Sequence, residues 1–151
     1  MNTNIHPTHA LSEFGFTILY VEDEPFVQQV TCEVLRAAGY RVLAVRDSAD
    51  AMRVYESMPA EIDVLLTDVV LPGKTGPVLA STLRRQNPCL KVLYVTGYAN
   101  QMIAESEPHS DWLPKPFSSD VLLCRLQNLF RDFEPASYSE AEGPLCDAVA
   151  V

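Results

Sequence analysis

Nowhere in this sequence do apolar residues run on for the ~18 positions that a bilayer-spanning helix needs. Residues 1–10 offer neither a basic start nor an apolar core, so membrane insertion and a secretory leader are not expected and the reading is cytoplasmic. Basic residues are scarce: 11 Lys and Arg stand against 20 Asp and Glu, a formal net charge of −9, with no Lys/Arg stripe. Such a surface repels a phosphate backbone, which argues against direct nucleic-acid binding. Cysteine is thin as well. Cys32, Cys89, Cys124 and Cys146 form no CxxC pair and have no His at metal-ligand spacing, so zinc is not indicated and reduced thiols are expected. His6, His9 and His109 fall in expected loops or tails, which disfavours a phosphotransfer histidine or a histidine metal site.

What is present is the make-up of an ordinary folded chain. Hydrophobic residues are 48% and charged residues 21% of the 151, enough to bury one core without disulfides or metals. Residues 17–21, 41–45, 63–67 and 91–96 are apolar and β-branched in the manner of strands buried on both faces, with a shorter fifth at 111–113. Helical spacing appears between them. Phe26, Val30 and Val34 stand at i, i+4 and i+8 ahead of Gly39, a residue suited to a helix C-terminus. Asp47 or Ser48 suits the cap of a helix carrying Ala51, Met52 and Tyr55, and Pro77 the first turn of one carrying Leu79 and Leu83. A last helix, capped by Ser118 or Ser119, carries an apolar stripe from Val121 to Phe130 broken only by Arg125. Strands and helices alternating in this way predict an α/β fold: a doubly wound parallel sheet in a three-layer sandwich. Residues 1–13 and the acidic, aperiodic 134–151 are expected to be flexible segments flanking one domain at 14–133.

In doubly wound folds the functional crevice lies at the carboxyl ends of the strands. Polar residues recur at those ends: Glu22 and Asp23 after the first strand, Asp68 after the third, Thr96 closing the fourth and Lys115 after the fifth. Three carboxylates gathered there repel unless a cation or a proton intervenes. An all-oxygen site with open positions suits magnesium, with manganese as the alternative. Phosphoryl chemistry fits such a site, because a central carboxylate can attack phosphorus while cations neutralise the transferring oxygens.

Four strings carry a resemblance. Residues 18–24 (ILYVEDE), 66–73 (LTDVVLPG) with Gly76, 95–99 (VTGYA) and 113–117 (LPKPF) resemble, in order and spacing, the signature of the receiver domains of bacterial two-component response regulators. The likeness spans about residues 14–133. It implies a flavodoxin-like sheet of strand order 2-1-3-4-5 and signalling by phosphorelay. By the same resemblance Asp68 is the phosphoacceptor, and Glu22 and Asp23 organise magnesium together with Asp68 and the backbone carbonyl of Val70. Thr96 and Lys115 meet the phosphoryl oxygens, and Trp112, three residues before Lys115, holds the aromatic switch position. The resemblance further implies a cis Lys115–Pro116 bond, a sensor histidine kinase or histidine phosphotransfer protein as donor, and a protein as downstream target. Val70 and Tyr98 flank the phosphoryl site and are expected to slow the attack of water. No enzyme is expected beyond a phosphoacceptor that assists its own phosphorylation and dephosphorylation.

Blander readings stand beside these. Asp68 ahead of Pro72 and Gly73 suits a turn, Glu24 before Pro25 suits a solvated helix start, and Trp112 suits a core anchor with no switching role. Two other functions compete. An aspartate-nucleophile phosphatase would carry a DxD pattern after its first strand, whereas Asp68 follows the third and its second neighbour is Val70. A receiver-like interaction module that works without phosphorylation would lack key positions, and none is missing.

Overall fold

The computed structural model describes residues 15–97 and 107–131. The expected flexible ends, Tyr98, Cys146, His6 and His9 lie outside them. Five parallel strands, β1 (Thr17–Val21), β2 (Arg41–Val45), β3 (Val64–Asp68), β4 (Lys91–Thr96) and β5 (Ser110–Pro114), form one sheet of order β2-β1-β3-β4-β5. The α-helices among the described residues are α1 (Pro25–Ala37), α2 (Ser48–Ser57), α3 (Gly76–Arg84) and α4 (Ser119–Arg131). The expected doubly wound α/β sandwich of order 2-1-3-4-5 is what the chain adopts.

Alternation along the strands splits the core between two faces. Ile18, Tyr20, Leu66, Leu93 and Val95 meet Leu35 of α1 and Leu122, Leu126 and Phe130 of α4. Leu19, Val21, Leu65, Val92 and Tyr94 meet Tyr55 of α2 and Leu79 and Leu83 of α3. All five residues of β1 are buried, which accounts for its apolar run from Ile18 to Val21.

Local signals behave as polar chemistry demands. Glu24 caps α1 through the amide of Val27, Asp47 caps α2 through that of Asp50, and Ser118 caps α4 through that of Val121. Pro77 sits in the first turn of α3. β3 starts one residue later than the sequence suggests, because the carboxylate of Asp63 accepts from the amide of Thr17 at 2.8 Å. β5 is longer by a residue at each end. On α1 the apolar spacing marks the helix but not its buried face. Thr31, Cys32 and Leu35 are buried, whereas Phe26 is 71% and Val30 43% exposed. Cys32 and Cys89 are free. Cys124 is disulfide-bonded, which corrects the expectation of a reduced thiol there.

Both outer strands have main-chain groups taken by side chains. On β2, Arg36 donates to the carbonyl of Val42. On β5, Arg125 donates to the carbonyl of Trp112 while Asp111 accepts from the Trp112 amide. The single charge interrupting the α4 stripe is thereby explained.

Candidate functional site

Order β2-β1-β3 reverses the direction of winding at β1 and β3, so a crevice opens where their carboxyl ends diverge. The loop after β1 is tied down at this point. Gln28 on α1 donates to the carbonyls of Glu22 at 3.1 Å and Val45 at 2.8 Å, and the amide of Glu22 donates to Val45 at 3.0 Å. Glu22 is further held by the amide of Glu24, which donates to its carboxylate at 3.0 Å. Asp68 ends β3. Across the crevice the amide of Lys115 donates to the carbonyl of Thr96 at 2.8 Å, which fixes the loop after β5 to the end of β4. The Lys115–Pro116 bond is cis, as expected.

These constraints gather the expected side chains. One carboxylate oxygen each from Glu22, Asp23 and Asp68 lies within 4.8 Å of the others. The Lys115 ammonium straddles the Asp68 carboxylate, 3.2 Å from Oδ1 and 3.4 Å from Oδ2. Thr96 is buried at the neighbouring strand end. Val70 is 62% exposed in the turn after β3. Trp112 is half-buried and packs towards α2 and α3, two residues ahead of the strand end rather than on the carboxylates. Gln28 carried no signal in the sequence, because a polar residue inside a helix reads as surface.

Burial sets the electrostatics. Lost hydration raises the carboxyl of Glu22 above its ordinary value, partly offset by the Glu24 amide and reinforced by Asp68. Burial likewise raises Asp68, with Lys115 drawing it back and Asp23 pushing it further. A carboxyl raised in the folded state contributes stability below its unfolded pKa and loses it as pH rises through the folded value. Without divalent cations, stability carried by this pair is therefore expected to fall from about pH 4 upward. Urea unfolding in chelator should show Glu22→Gln with the higher midpoint at neutral pH and the shallower pH slope.

Three acidic oxygens, two of them on carboxyls that burial makes reluctant to ionise, suit a hard divalent cation. Glu22, Asp23 and Asp68 are the residues that would hold it. Magnesium at ~100 times its dissociation constant is expected to stabilise the wild type by ~2.7 kcal/mol, and Glu22→Gln by less.

Comparison with known proteins agrees with this geometry. Residues 18–127 match the model of the response regulator receiver domain. The chain is 36% identical over 116 residues to the sensor kinase CckA of Brucella abortus, covering 75% of this chain and 12% of that protein. It is 35% identical over 120 residues to the transcriptional regulatory protein TcrA of Mycobacterium tuberculosis, covering 78% of this chain and 47% of TcrA. The chain thus spans half or less of the length of these curated relatives. Among solved structures, a response regulator receiver domain from Clostridium thermocellum superposes with a TM-score of 0.73 at 25% identity, covering 78% of this chain and 96% of that one. The receiver domain of the hybrid histidine kinase CckA superposes at 0.67 with 34% identity, covering 75% and 97%.

Proposed function

The chain belongs to the response regulator receiver domain family, a phosphorelay signalling family, and on that premise we propose that Asp68 is its phosphoacceptor. The observation that carries the assignment is the Lys115 ammonium lying over the Asp68 carboxylate beside Glu22 and Asp23. An Asp68 oxygen attacks phosphorus, the bond from phosphorus to the donor's histidine nitrogen breaks, and the imidazole leaves. Lys115 follows the charge from the carboxylate to the phosphoryl oxygens. Magnesium, when bound by Glu22, Asp23, Asp68 and the carbonyl of Val70, supplies further charge neutralisation. The Thr96 hydroxyl turns to a phosphoryl oxygen, and Trp112 turns into the space it leaves. The domain is assigned to residues 14–133, with flexible segments on either side.

The donor, a histidine kinase or histidine phosphotransfer protein, has a surface to meet. A cavity of about 380 Å3 between α1 and α4 is lined by Asp68 and Lys115 at one end and by Phe26, Val27, Val30 and Phe117 along its length. A donor helix laid there brings its histidine to the acidic end. The downstream partner is a protein that reads the switched surface. Among the described residues no helix is long and apolar enough to cross a membrane.

Incubation with a small acyl phosphate and magnesium, followed by intact mass, tests the assignment: one phosphoryl group per chain is expected. No increment would leave the phosphorylation-independent module as the reading, and rapid catalytic turnover of the donor the phosphatase. Val70 and Tyr98 are assigned to slowing the attacking water. Val70→Asn and Tyr98→Ala are each expected to shorten the phosphoryl lifetime several-fold, measured by loss of the label over time.

A further inference from the structure

A second polar assembly lies on the far side of β4 from the α1–α4 cavity, and phosphoryl transfer makes no use of it. Tyr94 is wholly buried, and its hydroxyl donates to the Glu107 carboxylate at 3.0 and 3.3 Å. Glu107 also accepts from Arg84 at 3.2 Å and from the Ser110 hydroxyl at 2.9 Å. Arg84 also reaches the segments leading into β4 and β5, donating to the carbonyls of Leu90 at 2.8 Å and of Pro108 and His109 at 3.1 Å each. His109 adopts φ +61 there, a left-handed conformation that a non-glycine residue holds only when its surroundings fix it. α3, β4 and the start of β5 are joined at one point.

Position gives this assembly its importance. Tyr94 and Trp112 are register partners on β4 and β5, and both pack on the α2–α3 face. Thr96 follows Tyr94 by two residues and so projects to that same face. The Tyr94 ring therefore borders the space behind Thr96, beside Trp112. Its far end is tied to a carboxylate that a guanidinium holds in turn, so the ring cannot tilt aside without stretching bonds to a charged, half-buried group. These bonds are all made with Trp112 half-exposed.

We propose that Arg84, Glu107 and Tyr94 form a latch that fixes the wall beside Trp112 and favours the unphosphorylated arrangement. The three act as positioning residues, through Trp112, and touch none of the reacting atoms. The proposal rests on Asp68 being the phosphoacceptor.

Trp112 is the sole tryptophan, so its fluorescence reports the switch directly. The experiment titrates beryllofluoride with magnesium into wild type, Tyr94→Phe and Glu107→Gln. Releasing the latch raises the fraction of chains in the switched state, and apparent affinity follows that fraction. The half-saturating concentration is expected to fall about 3- to 10-fold in both variants, the range that a lost hydrogen bond supports. Glu107→Gln carries the test alone should loss of the buried hydroxyl prevent folding. A lowered unfolding midpoint with an unmoved or raised half-saturation means a merely structural network and overturns the latch. Wild type that ignores beryllofluoride takes down the phosphoacceptor assignment and the latch with it. Wild type that responds, with variants that match it, removes the latch alone.

Discussion

Asp68→Asn is expected to take up no phosphoryl group from a small acyl phosphate, whatever the magnesium concentration, as read by intact mass. The amide keeps the shape of the side chain but lacks the nucleophilic oxygen, so the loss is complete rather than graded. Neighbouring substitutions should behave differently. Lys115→Ala leaves the nucleophile and removes one positioned cation, for which a rate loss on the order of 10²-fold is expected. A full increment surviving in Asp68→Asn would place the acceptor elsewhere in the chain and end the assignment.

Gly76→Ala should be strongly destabilising although it adds a single methyl. A Cβ at Gly76 would lie 2.3 Å from the backbone oxygen of Asp68 and 3.2 Å from Cγ2 of Thr67. Neither neighbour can swing aside, since one is main chain and the other is buried in β3. The N-terminus of α3, whose Gly76 amide donates to the carbonyl of Val69 at 2.8 Å, must therefore shift away from the strand. A destabilisation of about 3 kcal/mol is expected in urea unfolding, at the upper end for an overpacked site. Phosphorylation should slow by about 10²-fold as Asp68 loses its seat. Gly97→Ala is the control. A Cβ added there meets nothing within 4 Å among the described residues, and the variant's stability should stay within about 0.5 kcal/mol of wild type. Equal effects at the two glycines would refute the steric account.

The difference between these glycines shows what the sequence discloses and what it withholds. Strand identity was legible because β1, β3 and β4 are buried on both faces and contain little but apolar residues. The site was legible because a parallel sheet collects its strand ends on one rim, so Glu22, Asp23, Asp68, Thr96 and Lys115 could be placed together before any distance was known. The exposed face of α1 was not legible. Phe26 and Val30 carry the spacing of a core stripe but border an open cavity. Periodicity reports that a helix has an apolar side, not that the side is covered. The Arg84–Glu107–Tyr94 assembly was equally hidden, because its members sit up to 23 residues apart in segments that read separately as a helix end, a strand and a turn. Arg125 was visible as an anomaly in an apolar stripe, and the carbonyl of Trp112 supplies its reason.

The engaged main chain of the two outermost strands has a consequence for how this domain communicates. An extended peptide approaching β5 finds the amide and carbonyl of Trp112 already satisfied, and one approaching β2 finds the Val42 carbonyl occupied by a guanidinium. Sheet extension by a foreign strand is disfavoured at both margins, and so is the templated stacking that leads to fibrils. Recognition is left to helix faces and side chains, surfaces whose relief the turn proposed for Trp112 would alter.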